Sequence, residues 1–103
     1  MFTHEDDRRL LIEWSGGKVS KALIAKDNCI VGDHYHRNKE EHFLLLKGSA
    51  HITVGLHNAF ILAPHEFTVP PNKYHKFTLE KGSILLGVCS EEFDPADEIK
   101  GHP

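Results

Sequence analysis

The sequence predicts an all-β fold from three observations. Short apolar segments recur at close intervals with turn residues between them, no segment keeps a hydrophobic period of about 3.6 residues, and no predicted helix is long enough for a crossover. For a chain of about eight short strands without crossover helices, the possible folds are β-sandwiches and small β-barrels. Of these, a jelly-roll β-barrel encloses its inward side chains around a pocket.

The first half of the chain predicts two hairpins. Segments 8–14 and 18–25 flank Ser-Gly-Gly, and segments 40–47 and 50–56 flank Gly-Ser in the same way. Small residues between two apolar segments favour a tight β-turn. Each pair of segments is therefore predicted to form two adjacent antiparallel strands.

The second half predicts four further strands, at 58–63, 66–69, 75–80 and 83–89. Prolines end the first two of them, since proline cannot donate to a strand ladder. The strand at 75–80 alternates between apolar and polar residues. Because neighbouring side chains on a strand point to opposite faces, His75, Phe77 and Leu79 are predicted to point together into the core.

The strand at 83–89 is apolar on both faces. This is typical of a strand that is covered on both sides or lies at a subunit interface, so a homodimer is expected. The polar segment 91–103 has Asp-Pro and Gly-His-Pro breaks and is predicted to be a loop with room for one helical turn. We expect a single domain over 1–103, with the barrel over 8–90 and a polar C-terminal tail over 91–103.

The composition is ordinary for a soluble globular protein, with 40% hydrophobic and 26% charged residues. A formal net charge of -3 argues against a nucleic-acid-binding surface. The first residues are polar and acidic, and no apolar stretch approaches about 18 residues, so neither a secretory signal nor a membrane span is expected. Cys29 and Cys89 form no Cys-x-x-Cys motif. We therefore expect a cytoplasmic protein with reduced thiols and no membrane partner.

Histidine is the unusual feature of the composition, with nine residues in 103. In an extended segment His34 and His36 point to the same side, and Tyr35 points to the other. Glu41 begins a strand on which Phe43 and Leu45 share its face. A carboxylate is therefore predicted at the mouth of an otherwise apolar inner face.

A third imidazole, that of His75, comes from a strand distant in sequence. Three imidazoles and one carboxylate suit a divalent transition metal such as zinc, iron, manganese or nickel, with one or two coordination positions left for chemistry. The predicted metal ligands are His34, His36, Glu41 and His75, and the predicted pocket-lining residues are Phe43, Leu45, Phe77 and Leu79. The alternative is a solvated loop with His34 and His36, a strand-capping Glu41 and a core His75.

Residues 32–48, GDHYHRNKEEHFLLLKG, resemble the first cupin motif, and PPNKYHKF resembles the second. The positions that carry the resemblance are Gly32, His34, His36, Glu41 and Gly48 in the first motif, and Pro71 and His75 in the second. The gap to Gly48 favours Glu41 over Glu40 as the acidic ligand. Asn72 departs from the second motif, where glycine is usual. The resemblance implies a cupin jelly-roll β-barrel with the four ligands already named.

A narrower resemblance links 32–54 and the ending GVCSEEFDPADEIKG to small nucleotide-sugar 3,4-ketoisomerases, and GDHYHRNKEEHF to the terminal cupin of capsule-sugar reductases. It implies an isomerase that moves a proton next to a sugar ketone through an enediol, with a nucleotide sugar as substrate. His36 is the expected base, and whether the paired histidines are ligands or bases stays open. The alternatives are a metal-dependent dioxygenase and a non-catalytic cupin that binds a sugar or small molecule.

Overall fold

The strands of this computed structural model account for most of the residues it describes, which are 1–15, 19–90 and 95–101. Within these residues the chain forms eleven strands: Phe2–Glu5 (β1), Arg9–Ser15 (β2), Val19–Ala25 (β3), Cys29–His36 (β4), Glu41–Lys47 (β5), Ser49–Val54 (β6), His57–Leu62 (β7), His65–Val69 (β8), His75–Leu79 (β9), Ile84–Cys89 (β10) and Glu98–Lys100 (β11). A single 3₁₀ turn, Pro95–Asp97, precedes β11. None of the helical structure described is long and apolar enough to cross a membrane.

The strands form two antiparallel sheets that stack as a jelly roll, which confirms the predicted fold class. The six-stranded sheet has the order β1-β2-β3-β10-β5-β8, and the five-stranded sheet has the order β11-β4-β9-β6-β7. Over the described ranges no strand pair joins one sheet to the other, so the predicted barrel is not closed by hydrogen bonds. Side chains, rather than a continuous ladder, hold the two layers together.

The first predicted hairpin is confirmed, because β2 pairs with β3. Its turn residues 16–18 lie outside the described residues. The second predicted hairpin is wrong, because β5 and β6 belong to different sheets. Gly48 between them has a φ of +90°, and Ser49 exchanges hydrogen bonds with Ser83, so the link crosses from one sheet to the other.

The core lies between the sheets and follows the predicted alternation. His75, Phe77 and Leu79 are all buried on the inner face of β9, as predicted, and the polar residues between them are only partly buried. On β10 the inward Leu85 joins the same core cluster. Leu86 and Val88, its outward neighbours on that strand, remain partly or largely exposed.

The C-terminal segment contributes a strand that the sequence did not predict. The described part of the predicted tail, 95–101, forms the 3₁₀ turn and β11, and β11 pairs with β4 at Glu98↔His36 and Lys100↔His34. The rest of the predicted tail, 91–94 and 102–103, lies outside the described residues. The segment therefore borders the strand that carries the paired histidines.

Candidate metal centre

Three of the predicted ligands are brought together on adjacent strands of the five-stranded sheet. His34 and His36 end β4, and His75 begins β9, where it is the register partner of His34. One ring nitrogen from each of the three lies within 4.8 Å of the other two. These three imidazoles form one compact group that can surround a single ion.

A bulge in β4 allows this close approach. The register between β4 and β9 shifts between Gly32 and His34. Gly32 has a φ of +93°, and a Cβ atom there would lie 2.7 Å from the carbonyl oxygen of His75. Glycine is needed at this position both for its backbone conformation and for the space, which gives the first motif glycine a physical role.

Glu41 reaches the histidines from the opposite sheet. Its Oε1 lies 3.3 Å from Nε2 of His36 and 3.4 Å from Nε2 of His75, and the side chain is only 1% exposed. Glu40, the other candidate carboxylate, is partly exposed and lies 2.8 Å from the exposed His42. The geometry therefore separates the two neighbouring glutamates, and Glu41 is the one directed at the imidazoles.

The unpaired polar atoms of this cluster fit a bound cation. Glu41 Oε1 is buried and has no hydrogen-bond partner among the described residues. A buried carboxylate oxygen without a donor is costly, because it has lost its water without gaining a replacement. A divalent ion between this oxygen and the facing imidazole nitrogens would supply the missing positive charge, and three imidazoles with one carboxylate are a suitable donor set.

Two of the histidines already use their Nδ1 atoms in contacts with the protein, which leaves their Nε2 atoms for a metal ion. His34 Nδ1 lies 3.0 Å from Glu98 Oε1 on β11. His75 Nδ1 donates weakly to the carbonyl oxygen of Lys73, at 3.4 Å. Contacts of this kind orient an imidazole and present its other nitrogen to a metal. Nothing in the sequence around Glu98 indicated that it would reach His34.

Lys21 is a further residue of the cluster that the sequence prediction missed. Its Nζ donates to Oε2 of Glu41 at 2.6 Å, and it lies 5.2 Å from the ring centre of Phe43. Cys89 Sγ also lies 3.5 Å from the same oxygen. The signal was present, since Lys21 shares the inward face of β3 with Leu23 and Ala25.

Charge and burial together set the protonation of the cluster. Burial alone would raise the pKa of Glu41, but the imidazole of His36 and the ammonium of Lys21 outweigh burial and hold that pKa far below its usual range. Burial lowers the pKa of His75 to about 4 against the opposing charge of Glu41. Burial also lowers the pKa of His34. Neutral imidazoles beside an ionised carboxylate are the protonation states that bind a metal.

The turn between the paired histidines and Glu41 is held by the C-terminal segment. The buried carboxylate of Asp97 accepts hydrogen bonds from the backbone N–H groups of Arg37, Asn38 and Lys39, at 2.9, 2.9 and 3.2 Å. These bonds give an acceptor to three backbone N–H groups of a tight turn. Without them, the three groups would lack a hydrogen-bond partner in the protein. The C-terminal segment therefore anchors the turn that leads from β4 into β5, the strand that carries Glu41.

Solved structures show what this architecture resembles. CapF from Staphylococcus aureus, a capsular polysaccharide assembling protein, superposes with a TM-score of 0.84 at 19% identity over 99% of this chain and 34% of CapF. An RmlC-like cupin from Shewanella frigidimarina matches with a TM-score of 0.76 at 14% identity over 90% of this chain and 86% of that protein. The chain has the cupin fold.

A third similar structure is that of WlaRA, a TDP-fucose-3,4-ketoisomerase from Campylobacter jejuni. It matches with a TM-score of 0.68 at 22% identity, over 78% of this chain and 64% of WlaRA. The chain spans about a third of the length of CapF. No protein-family model matches the sequence, and no curated protein sequence does either.

A cavity of about 380 Å³, counted to its open mouth, lies between the two sheets. Its wall combines apolar residues with the charged Arg9, Glu13 and Lys21, and it includes none of the four candidate ligands. Lys21, which contacts Glu41, links this cavity to the histidine cluster.

Phe43, a predicted pocket-lining residue, lies on the wall of this cavity. The other three, Leu45, Phe77 and Leu79, are 0% exposed in the core and do not line this cavity. They face inward as the alternation requires, but they fill the closed part of the sandwich.

The remaining predicted bystanders lie outside the cluster. His42 and His51 are exposed, as their position on the outward faces predicts. His57 and His65 are exposed as well, although they begin β7 and β8 instead of lying in turns. Within the ranges that the structure describes, none of these four imidazoles belongs to a group of three possible metal ligands.

Proposed function

We propose that this cupin binds a divalent transition metal through His34, His36, Glu41 and His75 and acts as an isomerase of a keto sugar of the nucleotide-sugar type. The proposal depends on the buried, unpaired Oε1 of Glu41 beside two imidazole nitrogens. The fold similarity to a TDP-fucose-3,4-ketoisomerase supports the choice of reaction. The similarity to a capsular polysaccharide assembling protein supports a sugar as the substrate.

Each of the four side chains offers one atom to the ion. Glu41 offers Oε1, because Lys21 occupies Oε2. His34 and His75 offer Nε2, because their Nδ1 atoms face Glu98 and the Lys73 carbonyl. A divalent ion held by these four side chains would supply Lewis-acid polarisation of a substrate carbonyl.

The second candidate mechanism uses the same cluster without a metal, and a specific feature of His36 favours it. His36 Nδ1 is buried and has no hydrogen-bond partner among the described residues, so no protein group competes for a proton on this nitrogen. Imidazole suits the task because it both accepts and returns a proton near neutral pH. In this mechanism Glu41 holds the imidazolium that forms when His36 accepts the proton.

The proton balance of the reaction is the same in both mechanisms. The base removes the proton from the carbon next to the ketone, and the electrons of that C–H bond form the carbon–carbon double bond of the enediol. The former ketone oxygen gains a proton. The base then returns a proton to the former carbonyl carbon while the neighbouring hydroxyl loses its own, which moves the ketone by one position.

The test is to incubate the full chain with several TDP-linked 4-keto-6-deoxy sugars in deuterium oxide and to follow the products by mass spectrometry. The protein is assayed as purified, after chelation and after reloading with zinc. We expect deuterium at a carbon of the sugar, its loss in His36→Ala, and its retention in the matched surface variant His51→Ala. Activity that disappears on chelation and returns with zinc supports the metal mechanism, and activity that survives chelation supports the second candidate.

Two further outcomes would replace the isomerase by another class. Consumption of oxygen by the iron-loaded protein, with no deuterium incorporation, would establish the dioxygenase alternative. Saturable binding of a TDP-sugar without any turnover would establish the binding cupin. Absence of incorporation across all the sugars tested contradicts the isomerase.

A further inference from the structure

The cavity between the two sheets extends away from the histidine cluster along β2. The inward residues of that strand, Arg9, Leu11 and Glu13, all line it. Glu13 is the register partner of Lys21, at the end nearer Glu41, and Arg9 lies four residues away along the strand. At about 3.4 Å per residue, the Cα atoms of Arg9 and Glu13 are about 14 Å apart. The cavity therefore has a second end, at Arg9, which is remote from the candidate metal ligands.

Apolar side chains form most of the wall between these two ends. They come from both sheets and are Leu11, Leu23, Val31, Phe43 and Leu85. Gly87 also lines the cavity, and a Cβ atom there would lie 2.9 Å from Cε1 of Phe43 and 3.1 Å from Cε of Lys21. Glycine at this position keeps open the space between those two side chains. An apolar wall with a few polar groups at defined places is typical of a site for a small molecule.

Arg9 is the charged residue of this wall that lacks a counter-ion among the described residues. Lys21 is paired with Glu41 at 2.6 Å, and its register partner Glu13 places a second carboxylate beside it. The side chain of Arg9 forms no ion pair within the described ranges, and its Nε is buried without a hydrogen-bond partner. A guanidinium in this state is costly, because it has lost water without gaining an acceptor. An anion in the cavity would supply that acceptor.

The charge of Arg9 acts across the gap between the sheets. Burial raises the pKa of the Cys29 thiol, and the guanidinium of Arg9 opposes this shift more than any other charge does. Cys29 is a buried core residue of β4, in the five-stranded sheet, whereas Arg9 belongs to the six-stranded sheet. The positive charge therefore lies between the two layers, where a ligand in the cavity can reach it.

We propose that the Arg9 end of this cavity binds a small organic carboxylate, with its carboxylate on the Arg9 guanidinium and its apolar body against the apolar wall. The planar guanidinium matches a carboxylate with two parallel hydrogen bonds. One positive charge without a partner suits a monoanion. Lys21, the other cation of the wall, already holds Glu41, so the second charge of a phosphate ester would have no partner.

The volume of the cavity limits the size of this ligand. The cavity measures about 380 Å³ when it is counted to its open mouth. At about 30 Å³ for each water-sized group, this space holds at most about a dozen non-hydrogen atoms. A ligand as small as benzoate, which joins a carboxylate to an apolar ring, fits both the volume and the chemistry of the wall.

The experiment is a titration of the full chain with benzoate and with benzamide, its neutral counterpart of the same size, followed by backbone amide NMR. The protein is measured as purified and after chelation. We expect saturable benzoate binding with a Kd of about 1 mM or tighter, and benzamide binding at least about 10-fold weaker. The signals of Leu11 and Val31 should move, and chelation should leave the benzoate affinity unchanged.

Two variants and a control locate the site. Arg9→Met removes the guanidinium, and we expect it to bind benzoate no better than benzamide. Arg8→Met is the matched control, because the neighbouring Arg8 is exposed and lies 3.9 Å from Asp6, and it should keep the wild-type preference. Leu11→Phe fills the cavity but keeps Arg9, and it should bind benzoate at least about 10-fold more weakly. Circular dichroism identifies a variant that fails to fold, in which case the other one decides.

Several results would overturn the proposal. One is a wild type that binds benzoate and benzamide equally, or binds neither at about 10 mM. Another is a folded Arg9→Met variant that keeps the preference for benzoate. Loss of benzoate binding on chelation would assign the ligand to the metal cluster instead, and tighter binding of phenyl phosphate than of benzoate would contradict a carboxylate. None of these results depends on the proposed isomerase activity, which is measured separately.

Discussion

The two sheets of the fold contribute different parts of the candidate site. The five-stranded sheet carries the three imidazoles on its inner face. The six-stranded sheet carries Glu41 and Lys21 on its inner face. Neither sheet holds a complete donor set, so the site exists only when the two layers stack in the correct alignment.

The largest expected effect on stability comes from removing the ammonium charge of Lys21, on the six-stranded sheet. In Lys21→Met the carboxylate of Glu41 stays buried but loses its ammonium partner at 2.6 Å. Removing one partner of a buried ion pair typically costs about 3–5 kcal/mol. We expect a loss of this size in the free energy of unfolding, measured by urea denaturation of the metal-free protein.

The matched control for this variant is Lys26→Met. Lys26 forms an ion pair with Glu5, and both side chains are exposed. An exposed pair contributes less than about 1 kcal/mol. Equal losses in the two lysine variants would show that the Lys21–Glu41 pair is not part of a buried site.

The imidazoles on the five-stranded side predict a pH dependence. His75 has a pKa lowered to about 4, whereas an unfolded histidine titrates near about 6.5. The unfolded chain therefore binds more protons between these values, so stability falls as the pH drops from about 6.5 to about 4, by at most about 3 kcal/mol. Urea denaturation with a chelator at several pH values measures this slope.

His75→Gln should flatten that dependence, because glutamine does not titrate. The exposed His51 has no such burial, and His51→Gln should leave the slope unchanged. A wild-type stability that is constant over this window would contradict the buried neutral imidazole.

A smaller effect is expected at the link between the sheets. Gly48 has a φ of +90°, and a Cβ atom there would lie 2.2 Å from Ser83 Oγ and 2.7 Å from Ser83 Cα. At Gly82 the φ is +87°, but no atom lies within 4 Å. We expect thermal and urea denaturation to show a loss of about 1 kcal/mol in Gly82→Ala from the backbone alone and about 2–3 kcal/mol in Gly48→Ala. Equal losses would mean that the crossing tolerates a side chain.

Strand alternation predicted much of this arrangement from the sequence. It placed His75, Phe77 and Leu79 on one buried face, and motif spacing selected Glu41 over Glu40. These features depend on neighbouring residues of one strand, so a local pattern contains them. The same alternation places Lys21 on the inner face of β3. A lysine is ordinarily expected in water, however, and the carboxylate that pairs with it, Glu41, lies 20 residues away in the sequence.

The features that the sequence did not predict depend on contacts between distant residues. Gly-Ser has the same local signature whether the chain turns back within a sheet or crosses to the other, and contacts with Ser83, 34 residues away, decide the outcome. The short β11 carries no strand pattern of its own, and its pairing with β4 makes it a strand. Its Glu98 reaches His34 only through that pairing.

The most direct test of the central claim is the metal content and the zinc affinity of the full chain, measured by elemental analysis and chelator competition. We expect one divalent ion per chain, an affinity at least about 100-fold lower in His75→Ala, and an unchanged affinity in His51→Ala. A wild-type chain that binds no divalent metal, or a His75→Ala variant that binds zinc as tightly as the wild type, would contradict the account.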